Sequence, residues 1–170
     1  MTMQHTMDHF NPGPDTGHAL RGALSRFGTG VTIVTAQTAD GPIGITANSF
    51  TSVSLDPPLV LWSASRRSRR YPYFSEANHM AIHVLAEEQM PLCREFAAAP
   101  NAFAHADWNE GENGVPLIEG CLARFECARY SENDGGDHAI IVARVLRASV
   151  RHGAPLMFFG GQFGQFAAHG

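Results

Sequence analysis

The run from Cys121 to Val150, CLARFECARYSENDGGDHAIIVARVLRASV, decides the architecture. Its two flanks read as strands: CLARFECARYSE (121–132) alternates polar residues with Ala123, Phe125 and Cys127, and DHAIIVARVLRASV (137–150) is apolar and β-branched. Between them stands NDGG (133–136), whose Asn, Asp and Gly suit a tight turn. The pattern predicts a β-hairpin, so neighbouring strands run antiparallel.

Working outward, the same pattern recurs. VTIVTA (31–36) is β-branched and alternating, and DGP (40–42) is a turn signal. IGITANSFTSVS (43–54) reads as extended but polar, PPLVLWSA (57–64) as an apolar strand and HMAIHVLA (79–86) as another. The apolar segment APLMFFGGQFGQF (154–166) closes the chain. Helical spacing occurs twice. In DTGHALRGALSRFG (15–28), Ala19, Leu20, Ala23, Leu24 and Phe27 share a face, with Asp15 or Thr16 to cap the start and Gly28 to end it. In EEQMPLCREFAAA (87–99), Met90, Cys93, Phe96 and Ala97 share a side and Pro100 stops the helix. Residues 101–116 read as a long polar loop holding Trp108. There is no regular βαβ alternation, which argues against a doubly wound parallel sheet. The expected class is mainly β, an antiparallel barrel with a few peripheral helices. Residues 1–14, with Pro12, Gly13 and Pro14, read as a flexible tail, and 15–170 as one domain.

Composition narrows the function. The 170 residues are 44% hydrophobic and only 16% charged, with a net charge of −4, which suits a folded globular protein and disfavours a dedicated nucleic-acid binder. The chain has no lysine, so SRRSRR (65–70) is a local concentration of arginine on an acidic background. Cys93, Cys121 and Cys127 form neither a redox pair nor a zinc spacing, and fit a reducing compartment. MTMQHTMDHFNPGPD lacks the basic and apolar regions of a secretory signal, and no apolar run reaches the ~20 residues of a membrane span. A cytoplasmic protein is expected. His79 and His83 are four apart, but their segment reads as a strand, so a metal site is not expected.

Nucleotide-loop, serine-hydrolase and zinc-protease motifs are missing. What stands out is GITANSFTSVS, where Thr46, Asn48, Ser49, Thr51, Ser52 and Ser54 place six hydrogen-bonding side chains in nine positions. Half of them would point inward, and buried hydroxyls need partners. A polar ligand and an exposed Ser/Thr-rich ribbon account for the pattern about equally well.

FGTGVTIVTA (27–36), GITANSFTSVSLDPPLVLWSASRRS (44–68), AIHVLAEEQMPLCREFA (81–97), Trp108 with GVPLIEGCLARFEC (114–127), GGDHAIIVARV (135–145) and PLMFFGGQFG (155–164) together resemble the short-chain flavin reductase family. The resemblance runs from about residue 19 to 165 and implies an FMN-binding split β-barrel. It implies hydride transfer from NADH or NADPH to N5 of FMN, with FAD as the other candidate flavin. It implies a homodimer with flavin at the interface, commonly serving a separate flavin-dependent monooxygenase. Carried over by residue, Thr46, Ala47, Asn48 and Ser49 would lie along the isoalloxazine, with Ser52 in the same run. Ser63, Ser65, Arg67 and Ser68 would approach the ribityl phosphate, with Arg67 turned inward and the flanking arginines left to solvent or to the dinucleotide. His138 would place the nicotinamide; read alone it is as much a histidine opening a strand. His83 stands where the family more often has asparagine, which puts its side-chain contact in question. Alternatives on the same barrel are an FMN-binding electron carrier and an oxidase acting without NAD(P)H.

Overall fold

The chain's structure, a computed structural model, describes residues 6–168. The 121–150 hairpin is its longest feature: β9 (Ala123–Gly135) and β10 (His138–Val150) pair antiparallel, and only Gly136 and Asp137 turn the chain. Gly136 sits at φ +75°, a backbone geometry that glycine adopts without strain. The strands therefore reach deeper into NDGG than its composition suggested.

The other strands assemble around this pair. They are β2 (Thr32–Thr38), β3 (Gly41–Ala47), β4 (Thr51–Leu55), β5 (Pro58–Ser65) and β6 (His79–Val84), preceded by the two-residue β1 (Thr29–Gly30). Seven strands form one antiparallel sheet in the order β3-β2-β6-β9-β10-β5-β4. Its two edges, β3 and β4, are consecutive in sequence and joined by Asn48–Phe50 alone. Laid flat, seven strands would put those edges about 29 Å apart. The short link spans at most about 14 Å. The sheet must therefore curl until its edges face each other across a gap that no ladder bridges. The 43–54 segment, expected as one extended run, is broken at that link.

The curled sheet holds one core of Val34, Ile43, Trp62, Phe74, Met80, Ile82, Ile141 and their neighbours. β2 is buried on both faces. Val34 and Ala36 point into this core, while Val31 and Ile33 join a second core under helix α3 (Met90–Ala98). The second core contains Cys93 and Phe96, two of the four residues expected on that helix's apolar side; Ala97 is exposed. Gly44 of β3 makes this packing possible, because a β-carbon there would overlap the Phe96 ring.

Other expectations change in detail. The first helix, α1, spans Gly17–Leu24, ends before Gly28 and has no side-chain cap bond from Thr16. The apolar face expected there is not covered by the described residues: Leu24 is 66% exposed, and Phe27, beyond the helix end, 79%. The 101–116 loop contains β7 (Trp108–Glu110), which pairs with β8 (Pro116–Ile118). The closing segment is a hairpin of β11 (Leu156–Phe159) and β12 (Gln162–Gln165), turned at Gly160 and Gly161, both with positive φ. A short helix, α2 (Tyr71–Glu76), follows SRRSRR and was not anticipated. Of the tail expected over residues 1–14, residues 1–5 lie outside the described residues, and 6–12 are exposed without regular structure. No helix among the described residues is long and apolar enough to cross a membrane.

Candidate functional site

The SRRSRR segment follows β5 at the rim of the curled sheet. Its backbone is an ordered turn: Ser68 N–H donates to Ser65 O (3.0 Å), and Ser68 Oγ accepts from Arg70 N–H (3.2 Å). The four arginines have separate environments. Arg66 donates through its backbone N–H to Asp137 O (3.0 Å), pairs with Asp134 (3.2 Å) and donates to Tyr71 Oη (3.0 Å). Tyr71 in turn donates to Glu132, which also accepts from Ser75 (3.1 Å) and Arg129 (2.6 Å). The Tyr71 hydroxyl, with help from Ser75 and Arg129, holds the Glu132 carboxyl below its usual range. Arg70 is half-buried and donates to the carbonyls of Gly44, Phe96 and Ala97.

Arg67 and Arg69 are exposed and have no ion pair or side-chain hydrogen bond among the described residues. The expectation that Arg67 turns inward is therefore corrected: Arg70 is the arginine that turns inward. The physical reason is the supply of acceptors. Unpaired carbonyls at a sheet edge and a helix end lie within reach of Arg70, whereas the Arg67 guanidinium bonds no carbonyl among the described residues.

The polar run before β4 is also used internally. Thr46 Oγ1 donates to Cys93 O (2.6 Å), tying β3 to α3. Ser49 Oγ donates to Ser63 O (3.1 Å) and accepts from Ser63 N–H (2.9 Å), spanning the gap between the strand link and β5. Thr32 Oγ1 donates to Ala47 O (2.7 Å). These hydroxyls set the backbone instead of waiting for a ligand. Asn48 is exposed and makes no side-chain bond to the described protein.

Two cavities meet at Thr46. One, of about 800 Å³, runs from Thr46 past Ser68, Arg69 and Arg70 to Tyr73 and Asn101. The other, about 160 Å³, is walled by Val31, Ala47, Asn48, Phe158 and Phe163. An apolar, aromatic-walled cleft thus adjoins one lined by Ser68 and the unengaged Arg69. That donor set fits a planar ring carrying a phosphate tail.

His138 opens β10 opposite Ser65. Its Nδ1 lies 2.7 Å from Asp137 Oδ1. A carboxylate only accepts, so Nδ1 carries the proton and Nε2 is left for another partner. The hydrogen bond from His138 is the main cause that keeps the Asp137 carboxyl below its ordinary range. The Arg66 contacts to Asp134 and Asp137 O hold this hairpin tip against the arginine turn.

Of the expected site residues, Thr46, Ala47, Asn48 and Ser68 line the two cavities, Ser63, Ser65 and His138 stand on β5 and β10, and Ser49 lies in the link between β3 and β4, bonded to Ser63. Ser52 does not join them. It lines a separate apolar groove of about 500 Å³ with Phe50, Leu55, Leu59 and Val145. Burial raises all three thiols, Cys127 to about 12, which keeps them as packed, protonated side chains. Sequence reading missed the anchoring by Arg70 and the Tyr71–Glu132 network, because neither has a local signature.

The sequence profile of the flavin reductase like domain matches residues 24–167. FMN reductase (NADH) SmoA of Agrobacterium fabrum is 56% identical over 93% of this chain and 91% of its own length. The reductase component of the flavin-dependent trigonelline monooxygenase of Acinetobacter baylyi is 44% identical over 85% of this chain, which spans only 47% of that relative. Among solved structures, the NADH:FAD oxidoreductase of Streptomyces globisporus superposes with a TM-score of 0.89 at 37% identity, covering 96% of this chain and 100% of that one.

Proposed function

The chain belongs to the flavin reductase like family, and from that premise we propose that it is an NAD(P)H-dependent flavin reductase that takes FMN and uses NADH. The observation that carries the reading is that Ser68 and the unengaged Arg69 line a cavity that continues past Thr46 to Ala47, Asn48 and Phe163, with the unengaged Arg67 on the same turn. Bound flavin supplies the hydride acceptor, which no side chain of the protein could provide.

The protein's part is to bind and orient. Ser68, Arg67 and Arg69 offer a hydroxyl and two guanidinium groups to a phosphate. Ala47 and Asn48 present a small side chain and an amide to the ring, on a backbone braced by the hydroxyls of Thr46, Ser49 and Thr32. His138, whose Nδ1 is held by Asp137, leaves Nε2 for an incoming nicotinamide. Nucleic acid is a poor fit to the arginine patch, since Arg66 and Arg70 are already committed to the protein's own groups. Three free thiols support a reducing, cytoplasmic setting.

Anaerobic addition of NADH to the purified chain with FMN should bleach the flavin absorbance near stoichiometrically. His138→Ala should slow that bleaching about tenfold at subsaturating NADH while FMN affinity is retained. Bleaching absent in the wild type would refute the reductase reading, and an unchanged rate in the variant would refute the role of His138. Reduced flavin recovered in an anaerobic ultrafiltrate would mark delivery to a separate oxygenase, the service named for the Acinetobacter relative.

A twofold homodimer is part of the same reading. Leu55 is 95% exposed, and with the uncovered α1 face and the groove around Ser52 it leaves more apolar surface than one chain covers. Sedimentation equilibrium should give twice the 18.4 kDa chain mass; a monomer at micromolar concentration would exclude the dimer.

A further inference from the structure

We infer that Arg70 is a positioning residue for the flavin phosphate: it clamps the Ser68–Arg69 wall to β3 and α3 and so fixes the distance between the phosphate site and the ring site. The inference rests on the reductase reading above.

Three carbonyls receive its guanidinium. Gly44 O (3.3 Å) lies on β3, two residues before Thr46, on an edge strand whose other side pairs only with β2. Phe96 O and Ala97 O (3.2 Å) belong to the last turn of α3. Carbonyls in that turn lack helical donors. For Phe96 O the loss is enforced by sequence, because the residue four positions on is Pro100, which has no N–H. A cation at a helix C-terminus also interacts favourably with the helix dipole. Arg70 has no carboxylate partner among the described residues, so its role there is to bridge carbonyls.

The bridge has two neighbours that bear on a ligand. Gly44 N–H donates to Pro100 O (2.9 Å), closing the same junction from the other side. Thr46, the next residue on the α3-facing side of β3, is latched to α3 through Cys93 O. Arg70 joins this rigid block to the turn bearing Ser68 and Arg69, through adjacent backbone. Without it, that turn would keep its local hydrogen bonds and lose its register against Thr46. A lysine offers one ammonium point and cannot span the three acceptors as a planar guanidinium does.

The test is a double-mutant cycle on the full chain, read as FMN and riboflavin dissociation constants from flavin fluorescence. Arg69→Ala and Arg70→Met should each weaken FMN about tenfold. If Arg70 acts through the Arg69 wall, the double variant should be weaker than either single by less than about threefold. Arg70→Lys should bind no better than Arg70→Met. Riboflavin, which lacks the phosphate, should bind all variants within about threefold of wild type.

Losses that multiply to about a hundredfold in the double variant would overturn the inference and make Arg70 an independent ligand contact. Equal losses for riboflavin and FMN would overturn it in favour of a general structural role. Unchanged FMN binding in Arg70→Met would overturn it outright. A wild-type chain that binds no flavin would instead overturn the reductase reading, and this inference with it.

Discussion

Replacing Arg67 and Arg69 together by alanine is expected to weaken FMN about a hundredfold while leaving riboflavin binding within about threefold. The size follows from the chemistry of the pair. A phosphate monoester carries between one and two negative charges at neutral pH. Each charge-assisted hydrogen bond to it contributes about 1.5–3 kcal/mol. Arg67 and Arg69 are exposed, so the lower end applies, about 3 kcal/mol for both. Exposure also makes the contribution salt-sensitive: wild-type FMN affinity should fall as salt rises from 50 to about 500 mM, and the double variant should show a flatter dependence.

The single variants then divide the work. Arg69 lines the 800 Å³ cavity beside Ser68, and its loss alone should weaken FMN about tenfold. Arg67 is close enough to the hairpin tip to act on the charge of Asp137, so loss of Arg67 alone should raise the KM for NADH as well as weaken FMN about tenfold. FMN binding within threefold of wild type in the double variant would remove the phosphate site from this turn altogether.

The fold was legible where periodicity and turn chemistry agree. The two strands of the 121–150 hairpin announce themselves through alternation in the first and a β-branched run in the second around a Gly-rich turn, and α3 through Cys93 and Phe96 ending at Pro100. The curl was not legible from any one strand. It follows from which strands pair and from the shortness of Asn48–Phe50, both long-range facts. The site was half legible. Sequence reading picked out the hydroxyl-rich run at Thr46–Ser49 and the arginine turn, and the structure puts both on the same pair of cavities. It could not show that the hydroxyls of Thr46 and Ser49 are spent on Cys93 O and Ser63, 47 and 14 residues away. Nor could it sort four adjacent arginines, because local sequence gives them one environment and tertiary structure gives them four. Arg70 finds acceptors 26 residues away or more, and Arg66 a carboxylate 68 away. A cluster of like side chains in a turn is therefore best divided by asking which of them can reach orphaned backbone; those that cannot are available to a ligand.

The second large effect concerns His83, the substitution that stood apart from the family pattern. It is fully buried, and both ring nitrogens are bonded to backbone. Nδ1 lies 3.0 Å from Ile33 O, which only accepts, so Nδ1 carries a proton. Nε2 accepts the Ile118 N–H at 3.0 Å, so Nε2 carries none. The geometry fixes a neutral imidazole that fastens β2 and β8 to β6. Protonating Nε2 would set two donors against each other inside the core. Burial is accordingly the main cause that lowers the His83 pKa from 6.5 to about 4; the Ile33 carbonyl and Glu119 oppose the shift, and Arg124 adds to it.

In the unfolded chain the same imidazole titrates near 6.5. Between the two values the unfolded state binds the extra proton, so acid favours unfolding. The stabilisation from a neutral His83 is complete above about pH 6.5 and is lost as pH falls toward 4, an amount of about 3 kcal/mol. Glu132 and Glu119, both held below the usual carboxylate range, also lose stabilisation in acid. The measurement must therefore be a difference. Unfolding free energies from urea titrations between pH 4.5 and 7.5 should fall more steeply with acid in the wild type than in His83→Gln, whose amide can donate and accept but does not titrate. The two curves should converge by about 2–3 kcal/mol across that range, whatever their offset at neutral pH. Parallel curves would mean that His83 does not report the burial seen here, and that the acid sensitivity of the fold belongs to its carboxylates.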